Sequence, residues 1–216
     1  MSFWPQTPPV SQYRSPPGTP RRRKIVHSSS RSTQGLKTCL PQHISTPEHV
    51  QSTLKAELSL NFEPDAWQAH TIHRVLQGYD GMVVAATSLG KSLIFEGTAK
   101  LAGSGKAVVV ICPLKSLERD QAQHAINKGL VADTINEDTE KTPELWRRVR
   151  NTSQLIYISP ETTKSDLFRR EVWNHHSFRN RVAAAFVDET HVIDEWGNDK
   201  FRPVHLGLHC YPYIIP

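Results

Sequence analysis

Residues 85–92 read Ala-Ala-Thr-Ser-Leu-Gly-Lys-Ser and lie between an apolar run and a run with helical character. A tight turn at such a place aims successive backbone N–H groups at an anion. The N-terminus of the following helix adds the positive end of its dipole. In a loop of this kind Thr87, Ser88, Leu89 and Gly90 form the cradle, the Lys91 ammonium reaches the β- and γ-phosphates, and Ser92 offers a hydroxyl to Mg²⁺. A second group, Asp188-Glu189, follows the apolar stretch Ala183-Ala184-Ala185-Phe186-Val187. Asp188 suits a magnesium ion held through its water shell, and Glu189 suits the positioning and deprotonation of an attacking water. Together the two stretches point to the binding and hydrolysis of a nucleoside triphosphate with Mg²⁺.

These groups are useful only if the fold brings them together, and the pattern of the chain supplies one that does. Thr46 followed by Pro47 reads as the cap and first residue of a helix reaching about Leu58. A second helix is expected from Asp65 to Leu76, with Ile72, Val75 and Leu76 on its apolar face and a stop at Gly78. Strand and helix signals then alternate: strand over 82–86, helix over 91–101, strand over 106–112, helix over 117–128. A short strand over 131–135, a helix over 143–150 and strands over 154–158 and 182–187 complete the series. Apolar strands alternating with helices predict an α/β fold with a doubly wound parallel sheet. Such a sheet gathers the ends of its strands at one edge, where ligands bind.

Composition divides the chain. Residues 1–45 are rich in Pro, Ser, Arg and Gln and lack apolar periodicity, which predicts a disordered tail. Residues 1–50 carry seven Lys/Arg against Glu48 alone, so the basic excess belongs to the tail and the rest is near neutral. Any nucleic-acid surface on the folded part is therefore a local patch. The run Arg21-Arg22-Arg23-Lys24 fits nuclear import or nucleic-acid contact, and equally a solvated charge run. Cys39, Cys112 and Cys210 show no metal-ligand spacing and are odd in number, which argues against a disulfide framework or zinc site. No stretch has the length and apolarity of a membrane span, so no membrane partner is expected. The expected organisation is a tail over 1–45, a nucleotide-binding lobe over 46–205 and a C-terminal remnant over 206–216.

Further segments carry a resemblance. They are Phe62-Glu63-Pro64-Asp65-Ala66-Trp67-Gln68, Cys112-Pro113-Leu114-Lys115-Ser116-Leu117-Glu118-Arg119-Asp120-Gln121, Tyr157-Ile158-Ser159-Pro160-Glu161 and the aromatic stretch from His191 through Trp196-Gly197 to Phe201-Arg202-Pro203. With the loop at 85–92 and Asp188-Glu189, this order resembles the first RecA-like lobe of RecQ-like superfamily 2 DEAD/DEAH-box helicases. The chain departs from that pattern at Ser88 and Thr190 and by an added Lys200.

The resemblance implies an ATP-dependent 3'-5' DNA helicase acting in DNA repair or recombination, in the nucleus. It implies adenine reading by Gln68, which also has the spacing of a helix capping box with Asp65. It implies backbone contacts to single-stranded or forked DNA from Lys115, Ser116 and Arg119, and strand sensing by Trp196, Phe201 and Arg202. Aromatic faces stack on any base and arginine adds phosphate or cation–π contact. The family's second RecA-like lobe, with its arginine fingers, has no counterpart in the sequence. The chain alone is therefore expected to bind nucleotide weakly, hydrolyse it slowly and unwind nothing. The alternative is a non-catalytic fragment that binds nucleic acid or a protein. An RNA-directed DEAD/DEAH helicase is disfavoured by the stretch from Trp196 to Pro203.

Overall fold

The computed structural model describes residues 39–86 and 89–189. Helix α1 (Pro47–Glu57) starts where Thr46 Oγ1 accepts from His49 N, with Pro47 in its first turn. Helix α2 (Ala66–Leu76) is capped at Asp65, whose N–H donates to Gln68 Oε1 at 2.9 Å. Then follow α3 (Ser92–Ala102), β1 (Ala107–Ile111), α4 (Lys115–Asn127), β2 (Ala132–Ile135), α5 (Pro143–Asn151) and β3 (Leu155–Ile158). Two short helices, α6 (Pro160–Thr163) and α7 (Asp166–Phe168), run into a π-helical turn over Arg169–Trp173. Helix α8 (His176–Arg181) and strand β4 (Val182–Val187) close the series. None of the helices among the described residues is long and apolar enough to cross a membrane.

The four strands pair in parallel in the order β2-β3-β1-β4, with β1 and β3 at the centre. Side chains alternate across a strand, and here the alternation sorts residues between two cores. Val108, Val110, Leu155 and Tyr157 join Val50, Leu54, Ile72, Leu76 and Leu93 on the face covered by α1 to α4. Val109, Ile111, Ile156 and Ile158 join Trp146, Val149, Phe168 and Phe178 on the other. This is the doubly wound arrangement expected from the sequence. Gly97 lets α3 lie close to α1 and α2: an added Cβ would meet Ile72 Cδ1 at 2.7 Å and Leu54 Cδ2 at 2.9 Å.

Two expectations need correction. Residues 82–86 form no strand; they are irregular, with Met82 83% and Val84 92% exposed. Strand propensity is realised only where neighbouring strands supply a hydrogen-bond ladder and a packed face. The four-stranded sheet pairs β4 only with β1 and does not include this segment. Strand β4 itself is less buried than its apolar sequence suggests, with Ala185 exposed, because it borders the described sheet on one side only. The chain between β3 and β4, read from sequence only as far as Glu161, is helical. Ser159 and Ser165 cap its short helices by accepting from Thr162 N and Phe168 N.

Candidate nucleotide site at the strand ends

Each parallel strand leads into a polar or thiol side chain at the same sheet edge: Cys112 after β1, Asn136 after β2, Ser159 after β3 and Asp188 after β4. All four are buried. The phosphate-loop candidate approaches this edge from α3. Leu89 N donates to Ala86 O at 3.1 Å, closing a turn, and Gly90 adopts φ +71°, a left-handed conformation that suits glycine. Ser92 then opens α3, so the first N–H groups of an eleven-residue helix lie at the loop, where they favour an anion.

Lys91 Nζ donates to Ala85 O at 3.3 Å and stands 3.6 Å from Glu189 Oε1. The two stretches singled out from the sequence therefore converge. Asp188, 8% exposed, continues the ladder by donating its N–H to Ile111 O at 2.9 Å. Its Oδ1 accepts from Glu189 N at 2.9 Å and its Oδ2 from Gln121 Nε2 at 3.4 Å. Burial raises the Asp188 pKa, while the bonds from Gln121 and Glu189 N and the nearby Lys91 pull it down. Glu189 sits at φ 49°, where a residue with a Cβ is strained.

Gln68 is 4% exposed and fully engaged. Its Oε1 caps α2, and its Nε2 donates to Leu89 O at 3.2 Å and Gly90 O at 3.0 Å. The capping role weighed from sequence is thus present, and the same amide ties α2 to the phosphate loop. Phe62, Gln68, Gly90 and Ser92 border a cleft of about 960 Å³ that runs from the loop towards α4.

The donors available to a metal ion here, the Ser92 hydroxyl and the Asp188 carboxylate, are hard oxygen ligands of the kind Mg²⁺ prefers. Beside Asp188, the buried Gln121 Oε1 has no hydrogen-bond partner and would accept from a metal-bound water. The residues present fit the ion.

The nucleic-acid candidates divide. Lys115 is committed to acidic partners, with Nζ 2.7 Å from Glu137 Oε2 and 3.4 Å from Asp138 Oδ1. Its hydrogen bond to Glu137 raises its pKa. Ser116 and Arg119 are exposed on the first turns of α4. Thr87, Ser88, Trp196, Phe201 and Arg202 lie outside the described residues, as do residues 1–38 of the expected tail and the remnant at 206–216. Residues 39–45, read as tail, pack on the core instead, with Ile44 2% exposed and Cys39 N donating to Leu76 O at 2.7 Å. Burial pushes the Cys112 thiol up to about 12, against the Leu114 O contact that pulls the other way, which disfavours the thiolate form.

Three residues were not assigned roles from sequence. Gln121 reaches Asp188 as described. Glu118, fully buried, accepts from Asn136 Nδ2 at 2.7 Å. Glu96, on α3, is held by His124 of α4 and by Lys128, the residue that ends that helix. The only sequence signal for Glu96 and Glu118 was a charged residue at an apolar helical position, and their partners are distant in sequence.

A DEAD/DEAH box helicase family model matches residues 65–207. The chain is 33% identical over 153 residues to the ATP-dependent DNA helicase RecQ of Pasteurella multocida, covering 68% of this chain and 23% of that protein. It is 34% identical over 164 residues to the ATP-dependent helicase SGS1 of Saccharomyces cerevisiae, covering 72% of this chain and 11% of the relative. With the ATP-dependent DNA helicase Q5 of Rattus norvegicus the figures are 32% over 174 residues, 76% and 18%. The chain thus spans less than a quarter of the length of each. Among solved structures, the DUF1998 helicase MrfA bound to DNA and AMPPNP shares the fold. Its TM-score is 0.54 at 20% identity, over 71% of this chain and 22% of that one.

Proposed function

Since the chain belongs to the DEAD/DEAH box helicase family, we propose that it serves as the ATP-binding, DNA-contacting first lobe of a RecQ-like helicase, in which hydrolysis drives 3'-5' unwinding. The observation that carries this reading is the convergence of Lys91 and Glu189, 3.6 Å apart, beside the buried Asp188 at the strand ends. The RecQ-like assignment draws on relatives at 32–34% identity.

In this reading Lys91 and the first N–H groups of α3 hold the phosphates of ATP. Ser92 and Asp188 hold Mg²⁺, which when bound neutralises charge building on the phosphates. Glu189 orients the attacking water and takes its proton, and its left-handed backbone fixes where that carboxylate stands. Gln68 keeps the loop in register with α2 and, by exchanging a carbonyl partner, reads adenine. Ser116 and Arg119 contact a DNA backbone, for which donors and charge suffice. Lys115 contributes less, because Glu137 and Asp138 already neutralise it. Trp196, Phe201 and Arg202 sense the strand, and the protein works in the nucleus.

Titration with a fluorescent ATP analogue in the presence of Mg²⁺ tests the reading. Wild type binds, and Lys91→Ala weakens binding roughly 10- to 100-fold, the loss of one charge-assisted contact of about 1.5–3 kcal/mol. Equal affinity in wild type and Lys91→Ala would overturn it.

A further inference from the structure

Helix α4 touches both halves of the nucleotide site by way of a buried charge on α3. Glu96 lies one helical turn beyond Ser92 and is 1% exposed. Both of its carboxylate oxygens are held from α4 and from Lys128, the residue that ends it. His124 Nδ1 lies 2.8 Å from Oε1, and Lys128 Nζ donates to Oε2 at 2.5 Å. Gln121, three residues before His124, shares that face of α4 and donates to Asp188. One helix therefore holds the P-loop helix at Glu96 and the acidic strand end at Asp188. The N-terminal turn of the same helix carries Ser116 and Arg119, exposed where the proposed function sets the DNA backbone.

The cleft described above separates α3 from α4, with Ser92, Leu93 and Glu96 on one wall and Gln121, His124 and Lys128 on the other. The contacts of Glu96 with His124 and Lys128 form a polar bridge across that cleft. Such a bridge is a poor choice for stability alone, since a buried ion pair often adds no more than a well-packed apolar pair.

Resting on the proposed function, we propose that Glu96 is a positioning residue that couples strand binding on α4 to nucleotide binding at α3. Its carboxylate transmits the placement of α4, through His124 and Lys128, to the helix that begins at Ser92. Coupling of this kind is reciprocal and is measured as a ratio of affinities.

The test is titration of the whole chain with a fluorescent non-hydrolysable ATP analogue and Mg²⁺, with and without saturating single-stranded oligothymidylate. Wild type is expected to bind nucleotide at least about fivefold more tightly with the strand than without it, the lower end of common coupling. Glu96→Gln keeps the shape and removes the charge, and its ratio is expected to fall below about twofold. A purely structural role changes both affinities together and leaves the ratio intact. Where circular dichroism shows Glu96→Gln unfolded, His124→Gln decides, because His124 is 60% exposed and its loss buries nothing new. A wild-type ratio in the deciding variant overturns the inference. A ratio of one in wild type also overturns it, while leaving the proposed function standing. Failure of wild type to bind nucleotide at all removes the function and the inference with it.

Discussion

Glu189 Oε1 and Lys91 Nζ stand 3.6 Å apart, one carried at the end of β4 and the other on the turn ahead of α3. The pair is largely screened from solvent, with side chains 13% and 22% exposed. Asp188 beside it is anchored to β1 through the Ile111 carbonyl. A loop and a strand end far apart in sequence thus meet because β4 carries one to the sheet edge, while α3 and the Gln68 bonds to Leu89 O and Gly90 O hold the other beside it. The ammonium faces the group assigned the base role. That arrangement makes the nucleotide reading depend on a few side chains that can be changed singly.

The backbone of Glu189 gives the first prediction. At φ 49° an alanine keeps the strain of a Cβ in the left-handed region, and a glycine does not. Both Glu189→Ala and Glu189→Gly are expected to abolish any Mg²⁺-dependent turnover. The glycine variant is expected to be about 1 kcal/mol more stable than the alanine variant by urea denaturation. Equal stability of the two would mean that the strain is not present in solution.

Gln68 separates two roles that its sequence position could not. Gln68→Glu keeps an oxygen to accept from Asp65 N and so keeps the α2 cap, yet it cannot donate to Leu89 O or Gly90 O. It brings a carboxylate against two carbonyl oxygens. Helix content is expected to hold, while affinity for an ATP analogue falls by about tenfold, equivalent to about 1.4 kcal/mol. Unchanged affinity would reduce Gln68 to a helix cap.

Much of this was legible because it is local. Thr46-Pro47 and Asp65 mark helix starts by their own hydrogen-bonding chemistry. The apolar runs around Val109 and Ile156 are strands because both faces find cores. The run at 82–86 has the same apolar character without a ladder partner, and sequence does not state whether a neighbour exists. Asp188 with Lys91 was legible as a pair because both motifs belong to one chemistry. Gln121, Glu96 and Glu118 were not, since each acquires its meaning from a residue on another element. A charged residue on a helix ordinarily reads as a solvated face.

Removal of the metal tests Asp188. In wild type, EDTA is expected to weaken binding of an ATP analogue by about tenfold, about 1.4 kcal/mol. Asp188→Asn keeps an oxygen to accept from Glu189 N but loses the carboxylate. Its affinity in Mg²⁺ is expected to match that of wild type in EDTA, with no further loss on adding EDTA. Stability should change little, because a carboxyl whose pKa burial raises is being replaced by a neutral amide, and the Gln121 amide can turn so that its Oε1 accepts from the new Nδ2. A Mg²⁺ effect that persists in Asp188→Asn would move the metal to other ligands.

The buried carboxyl of Glu118 predicts a pH dependence. Oε2 accepts from Asn136 Nδ2, and Oε1 has no hydrogen-bond partner. Burial pushes its pKa up to about 7, opposed by the Asn136 hydrogen bond and assisted by the nearby Glu137. With the folded pKa above the usual carboxyl value, the native chain binds more protons than the unfolded chain between the two. The contribution of Glu118 is therefore fully present at low pH and is lost as pH rises to about 7. Each pKa unit corresponds to about 1.4 kcal/mol, so the loss amounts to roughly 1–3 kcal/mol. Glu118→Gln keeps an acceptor for Asn136 and has no proton to lose. Between pH 5 and pH 8, wild type is expected to lose more stability to urea than Glu118→Gln by that amount, and the variant is the more stable of the two at pH 8. Parallel pH profiles would show that water or a rearranged α4 solvates the carboxylate.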